Sequence, residues 1–235
     1  MENRTAIVHG GSGNIGSAVA RAFARQGAEV HLTGRTRATL EETADDIRDQ
    51  YFVAHVATLD ATDRDAVEQH AATVAEQGRI DVCFNATAND DVQGTPLLDM
   101  PIDDVLQPVA KAVTSTLTVA TAAARHMRGR GVILAMGGGR EAIPDLGGSH
   151  VAWAALAGLC RQLAAELGPR GVRVAWLLSP GSPDPGEPDP EADDLLLARR
   201  PSYAQVADAA VFAASDWAAT MTATELNLTG GLVVD

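Results

Sequence analysis

Three glycines near the N-terminus have the spacing needed to hold a phosphate. The string HGGSGNIG, from His9 to Gly16, contains G-x-G-x-x-G at Gly11, Gly13 and Gly16. Glycines permit a tight turn there. They also let the backbone from Gly10 through Gly11, Ser12, Gly13, Asn14, Ile15 and Gly16 approach a pyrophosphate, which then sits at the positive end of a helix. Alone the pattern is weak, and a Gly-rich turn without a ligand would look the same. Context separates the two: an apolar strand-like run, Thr5 to His9, precedes it, and Ala18, Val19, Ala22 and Phe23 follow at helical spacing. About twenty residues past such glycines, an NAD site places an acidic residue for the ribose 2′-OH. Here that place reads Thr33-Gly34-Arg35-Thr36-Arg37, with no carboxylate. Gly34 leaves room, and the planar fork of Arg35 suits a 2′-phosphate, which predicts NADP(H) over NAD(H). Otherwise Arg35 merely opens the next helix, an end that favours acids over bases.

Other residues that can do chemistry are few. His150 is a candidate acid or base, because an unperturbed imidazole titrates near neutral pH without help; its alternative is a capping or surface histidine. Ser149 beside His150, with Asp145 nearby, resembles a nucleophile and base only superficially. Neighbours at a helix start do not face each other, and no G-x-S-x-G turn surrounds Ser149. Arg140 and Glu141 could reach a substrate but read as ordinary solvated loop charges, and Lys111 could snorkel toward the cleft but reads as one on a surface helix face. Cys83 and Cys160 lie in apolar surroundings and read as small core residues rather than metal ligands or a disulfide. No metal site is predicted.

The elements that must position these groups alternate between strand and helix. Strands are expected at Thr5–His9, Glu29–Thr33, Phe52–Thr58, Ile80–Ala86, Gly131–Met136, Val172–Leu178 and Glu225–Thr229. Helices are expected after the glycine loop and at Leu40–Asp49, from Thr62 or Asp63 to Gln77, at Asp103–His126 and Val151–Leu167, and around Glu191–Arg200 and Tyr203–Ser215. This order calls for βαβ units and one doubly wound parallel sheet of Rossmann type with helices on both faces, a single α/β domain over residues 1–235. Pro108 is awkward inside the long helix. Five prolines between Ser179 and Pro190 exclude helix or central strand there and suggest a lid or crossing loop.

Composition sets the remaining bounds. The 235 residues suffice for one domain with a full core. Eighteen basic against 31 acidic residues give a net charge of −13, which opposes binding to nucleic acid or an anionic membrane. No charged-then-apolar leader follows Met1, and no apolar run is long enough to span a bilayer, so a cytoplasmic location is expected.

Together these strings resemble the short-chain dehydrogenase/reductase family over essentially the whole chain. HGGSGNIG is similar to the family's T-G-x-x-G-x-x-G pattern, with His9 in place of Thr, where the resemblance sets it beside the phosphates as a donor. The resemblance implies that Asp60 and Ala61, in LDATD, contact adenine, and that Asn85, in IDVCFNAT, lies near the nicotinamide ribose. It implies the same of Pro180-Gly181 for the nicotinamide end. LAAELGPRGVRV and NLTGG resemble later family segments. It further implies a homodimer or homotetramer, or a pairing with an active relative, through the helices at 103–126 and 148–168, whose small residues permit close approach.

The catalytic positions depart from the family. Its members use a Tyr as proton donor, a Lys that lowers the tyrosine pKa, a Ser that polarises the carbonyl, and an earlier Asn. Alignment puts the Lys place at Trp153, the Tyr place at Ser149, the Ser place at Gly138 or Gly137, and the Asn place at Ala112. No shift of register restores Tyr-x-x-x-Lys. A positioned general acid contributes ~10²–10⁴ in rate, so losing it with its partners cripples ordinary carbonyl reduction. Three readings follow: an NADP(H)-binding protein with an atypical or redox-neutral reaction on a small molecule, served by His150; a catalytically inactive partner subunit; or an ordinary reductase with substitute residues. Substrate walls would come from loops 87–100, 137–148 and 179–200.

Overall fold

Short apolar runs become the strands of one parallel sheet because helices cover both of their faces. The computed structural model describes residues 1–179, 181 and 195–234. Its elements run β1 (Thr5–His9), α1 (Asn14–Arg25), β2 (Glu29–Gly34), α2 (Arg37–Arg48), β3 (Ala54–Thr58), α3 (Arg64–Gln77) and β4 (Val82–Asn85). They continue with α4 (Ile102–His126), β5 (Gly131–Gly137), α5 (Ser149–Leu167), β6 (Val172–Leu178), α6 (Tyr203–Ala214) and β7 (Thr224–Asn227). The sheet order is β3-β2-β1-β4-β5-β6-β7, with every neighbouring pair parallel. The direction of winding reverses between β1 and β4, which opens a crevice at their C-terminal ends.

Alternation along the strands builds two cores. Ala6 and Val8 of β1 join Val30, Leu32, Val82 and Phe84 under α1, α2 and α6. Ile7 faces the other way and joins Cys83, Ile133 and Trp176 under α3, α4 and α5. Among the described residues no helix is long and apolar enough to cross a membrane.

Element ends differ from the sequence expectation where caps decide them. Asp63, not Thr62, caps α3, its carboxylate accepting from the Asp65 and Ala66 N–H groups. The fifth helix starts at Ser149, so Ser149 and His150 belong to its first turn. Pro108 lies inside α4 without ending it. A Cβ at Gly148 would stand 2.1 Å from the Val105 carbonyl oxygen and 2.7 Å from Pro108 Cγ, so the start of α5 is pressed against this turn of α4. A helix over Glu191–Arg200 is not formed at residues 195–200, which are turns and irregular chain. Pro180 and most of the proline-rich stretch lie outside the described residues.

Candidate active site

The glycine loop leaves the C-terminal end of β1 and turns into α1. Gly10 and Gly11 both donate to the Thr33 carbonyl, at 2.9 and 3.0 Å, and Gly13 donates to Gly10 O at 3.0 Å. Gly10 has φ +75°, and a Cβ there would meet Ala86 O at 2.6 Å. A Cβ on Gly16 would stand 2.0 Å from Gly10 O, so the helix can approach the loop only because position 16 is glycine. No side chain caps α1 at Gly13. The first N–H groups of that helix have no intrahelical acceptor, and an anion can take them. The residues therefore fit a dinucleotide pyrophosphate. The Asn14 side chain is engaged elsewhere, its Nδ2 donating to Tyr203 Oη at 3.0 Å.

The groove continues across the sheet past Gly34, Arg35 and Asp60 to Thr87, Lys111 and Ser115. Arg35 lies 3.6 Å from Asp90 Oδ2, and Lys111 makes a short ion pair with the same oxygen. One carboxylate, from the loop after β4, thus holds two cations of the groove, Arg35 after β2 and Lys111 of α4. Lys111 lines the groove with its side chain only 17% exposed, so of its two readings the structure takes the one toward the cleft. Its position, one residue before the Asn place, was the available signal. Asp90 gave none, because its left-handed backbone, φ 54°, has no sequence signature. Asp60 lines the groove with Ala61. The Thr62 hydroxyl and N–H both donate to the Asp60 carboxylate, at 2.7 and 2.8 Å, and with Arg35 and Lys111 nearby they hold its pKa below the usual carboxylate value.

Two side chains expected at the cofactor are turned elsewhere. Asn85 is buried, donating to Thr116 Oγ1 at 2.9 Å and accepting from the Thr87 hydroxyl at 2.8 Å. Its amide ties β4 to α4. His9, expected beside the phosphates, is 2% exposed and shares a 2.8 Å hydrogen bond between its Nδ1 and Thr33 Oγ1. Burial, with His70 adding to it, lowers its pKa to about 3, so it is neutral. Gly181 adopts φ +93°, while Pro180 lies outside the described residues.

The four places aligned with the family's catalytic residues hold Ala112, Gly138, Ser149 and Trp153. Ala112 is buried. Ser149 is fully buried and donates a short hydrogen bond to Asp91, while Gln93 Nε2 donates to Ser149 Oγ at 3.2 Å and to Asp91 at 2.7 Å. Burial raises the Asp91 pKa, but these two hydrogen-bonded partners outweigh it and hold the carboxyl below its ordinary value. Trp153 lies against Gly138: a Cβ there would fall 2.1 Å from the indole Cε2. The Lys place therefore occupies the space of the Ser place.

His150 is not part of the cofactor groove. It lines a separate hollow with Pro96, Leu97, Ile143, Pro144 and Val151, between the loops at 87–100 and 137–148. Its Nδ1 is buried without a hydrogen-bond partner. Arg140 is corrected from a solvated charge to a partner of Glu225 on β7.

Comparison with known proteins places this geometry. Residues 11–233 match the family model described as Enoyl-(Acyl carrier protein) reductase. The chain is 31% identical over 251 residues to the A-factor type gamma-butyrolactone 1'-reductase (1S-forming) of Streptomyces virginiae, covering 100% of this chain and 97% of that one. It is 30% identical over 250 residues to gluconate 5-dehydrogenase of Gluconobacter oxydans, covering 100% and 96%. A dehydrogenase/reductase from Sinorhizobium meliloti superposes with a TM-score of 0.90 at 26% identity, over 100% of this chain and 96% of that one. A short chain dehydrogenase from Burkholderia cenocepacia, solved in complex with NADP, superposes with a TM-score of 0.88 at 25% identity, over 98% of both chains. The matched residues run from the glycine loop to the end of β7 and beyond, and the chain belongs to the short-chain dehydrogenase/reductase family of oxidoreductases.

Proposed function

We propose that the protein binds NADP(H) in the groove above β1, β2 and β4, and that it acts on a small molecule by an atypical or redox-neutral reaction rather than by tyrosine-dependent carbonyl reduction. The observation that carries the cofactor reading is Arg35, directly after β2, which shares the Asp90 carboxylate with Lys111 of α4 across the groove. A 2′-phosphate would replace Asp90 between them. When bound, the nicotinamide supplies the capacity for hydride transfer, while the chain supplies the phosphate cradle and the walls. His150 is the candidate acid or base, since its hollow lies between two loops of the substrate side and its Nδ1 is unsatisfied. Ser149 serves as a support, held by Asp91.

A second reading, a cofactor-binding partner subunit without turnover, is favoured by one observation, the Trp153 indole seated on Gly138. Association would use α4 and α5, which expose Leu106, Leu117 and Val151. The test is NADPH consumption with aldehydes, ketones and quinones, together with product analysis for redox-neutral conversion, on protein freed of carried-over nucleotide. Turnover abolished by His150→Ala supports the first reading. Tight NADPH binding without any conversion supports the second. Activity indifferent to substitution at Ser149, His150 and Trp153 overturns the placing of the active site.

A further inference from the structure

Four of the six histidines lie on the side of the sheet covered by α3, and two of them meet a glutamate at its outer edge. We propose that Glu29, His31 and His55 form a Zn²⁺ site, with water in the fourth position. The register of the β2–β3 pair sets His31 directly opposite His55. Glu29 precedes His31 by two residues and so shares its face. Glu29 Oε1 lies 3.4 Å from His31 Nε2 and 3.0 Å from His55 Nε2, and one donor atom from each residue falls within 4.8 Å of the other two. Zinc bonds of ~2.0–2.1 Å in a tetrahedron place donors ~3.3 Å apart. Two imidazoles and one carboxylate are a donor set that zinc accepts.

Burial is graded in the way an entering ion requires. The His31 side chain is 5% exposed, while Glu29 and His55 are 39% and 46% exposed. The rear ligand is fixed and the front pair opens to solvent. His31 Nε2 is buried with no hydrogen-bond partner, an unsatisfied polar atom aimed at the cluster, and a bound ion would satisfy it. The two rings stack at 4.6 Å with 19° between their planes. His70 of α3 stands edge-on to His31 at 6.1 Å and backs the site.

The site is separate from the nucleotide groove: His31 precedes Gly34 by three residues, ~10 Å along β2. An ion there clamps the edge strand β3 to β2. Because it binds the folded pair, it stabilises the native state by mass action.

The experiment uses the full chain, without an affinity tag and after chelator treatment, titrated with Zn²⁺ by calorimetry and with Co²⁺ by visible absorption. Expected are one ion per chain, a Tm that rises with Zn²⁺, and binding weakened at least ~10-fold in both His55→Ala and Glu29→Gln. His126→Gln, on α4 and outside the cluster, should bind as the parent does, and NADPH affinity should be unchanged throughout. Absence of saturable one-ion binding overturns the site. So does parent-like binding in either His55→Ala or Glu29→Gln, provided circular dichroism shows the variant folded.

Discussion

Replacing Arg35 by alanine should weaken NADPH binding ~30-fold and leave NADH nearly untouched. The Arg35 side chain is 64% exposed, so its attraction for a phosphate is close to that in water. Two unit charges at ~4 Å in water are worth about 1 kcal/mol, and a phosphate with a charge near −2 doubles that. About 2 kcal/mol is ~30-fold in Kd. Lys111 remains in the variant and keeps some phosphate affinity, so the preference shrinks without reversing. Asp90→Asn removes the anion now held between the two cations and should tighten NADPH several-fold, about 3- to 10-fold on the same scale. High salt should erase both effects, since screening at ~1 M acts within about 3 Å. The assay is a titration of each variant with NADPH and NADH, read by tryptophan fluorescence and checked by calorimetry. An NADPH-to-NADH affinity ratio unchanged by Arg35→Ala would refute the assignment of the 2′-phosphate to this end of the groove.

Three further outcomes follow from packing and titration. Gly138→Ala should destabilise the fold by about 1–3 kcal/mol, because its Cβ would enter the Trp153 ring, and Trp153→Ala should relieve most of that cost. Strictly additive effects in urea melts would contradict the contact. Stability should fall as pH drops from about 6.5 toward 4, since the unfolded chain takes up protons that buried His9 and His31 refuse. Each such histidine adds a slope of about 1.4 kcal/mol per pH unit, and His9→Thr should remove one slope's worth; an unchanged pH dependence would contradict a neutral His9. Cys83 and Cys160, whose thiols burial pushes up to about 12, should resist thiol reagents at neutral pH until the chain unfolds, a point that labelling rates against urea concentration would decide.

What could be read beforehand was what local chemistry dictates. Periodicity and glycine spacing gave the strand–loop–helix unit, because a buried parallel strand must be apolar and a phosphate loop must lack Cβ atoms. Arg35 was legible for the same reason: it follows directly from β2. Side-chain direction was not legible. His9 and Asn85 stand at places the resemblance sets near the cofactor, and their side chains bond to Thr33 in one case and to α4 in the other. Lys111 is ambiguous in the sequence because helix periodicity reports burial, and a long side chain can come from a helix flank into a cleft. The Glu29–His31–His55 cluster was invisible, since it depends on the cross-strand register of β2 and β3, which no local pattern specifies.

On the proposed alignment, the substitutions at the catalytic places are interlocked and not independent. A serine cannot be restored at position 138 while Trp153 is present, because any Cβ there enters the indole. Lysine at 153 would free that space, but its ordinary task is to lower the pKa of a tyrosine, and position 149 holds a buried serine engaged by Asp91 and Gln93. A tyrosine at 149 would in turn displace those two and the loop that carries them. Groups that act as a unit yield little when returned singly. Trp153→Lys alone should therefore give no reductase activity, and neither should Ser149→Tyr alone. If turnover appears only when substitutions at 138, 149 and 153 are combined with remodelling of Asp91–Gln93, the groove is a reductase scaffold refilled in concert. Carbonyl reduction by a single substitution would mean instead that the remaining machinery is intact and only one group is missing.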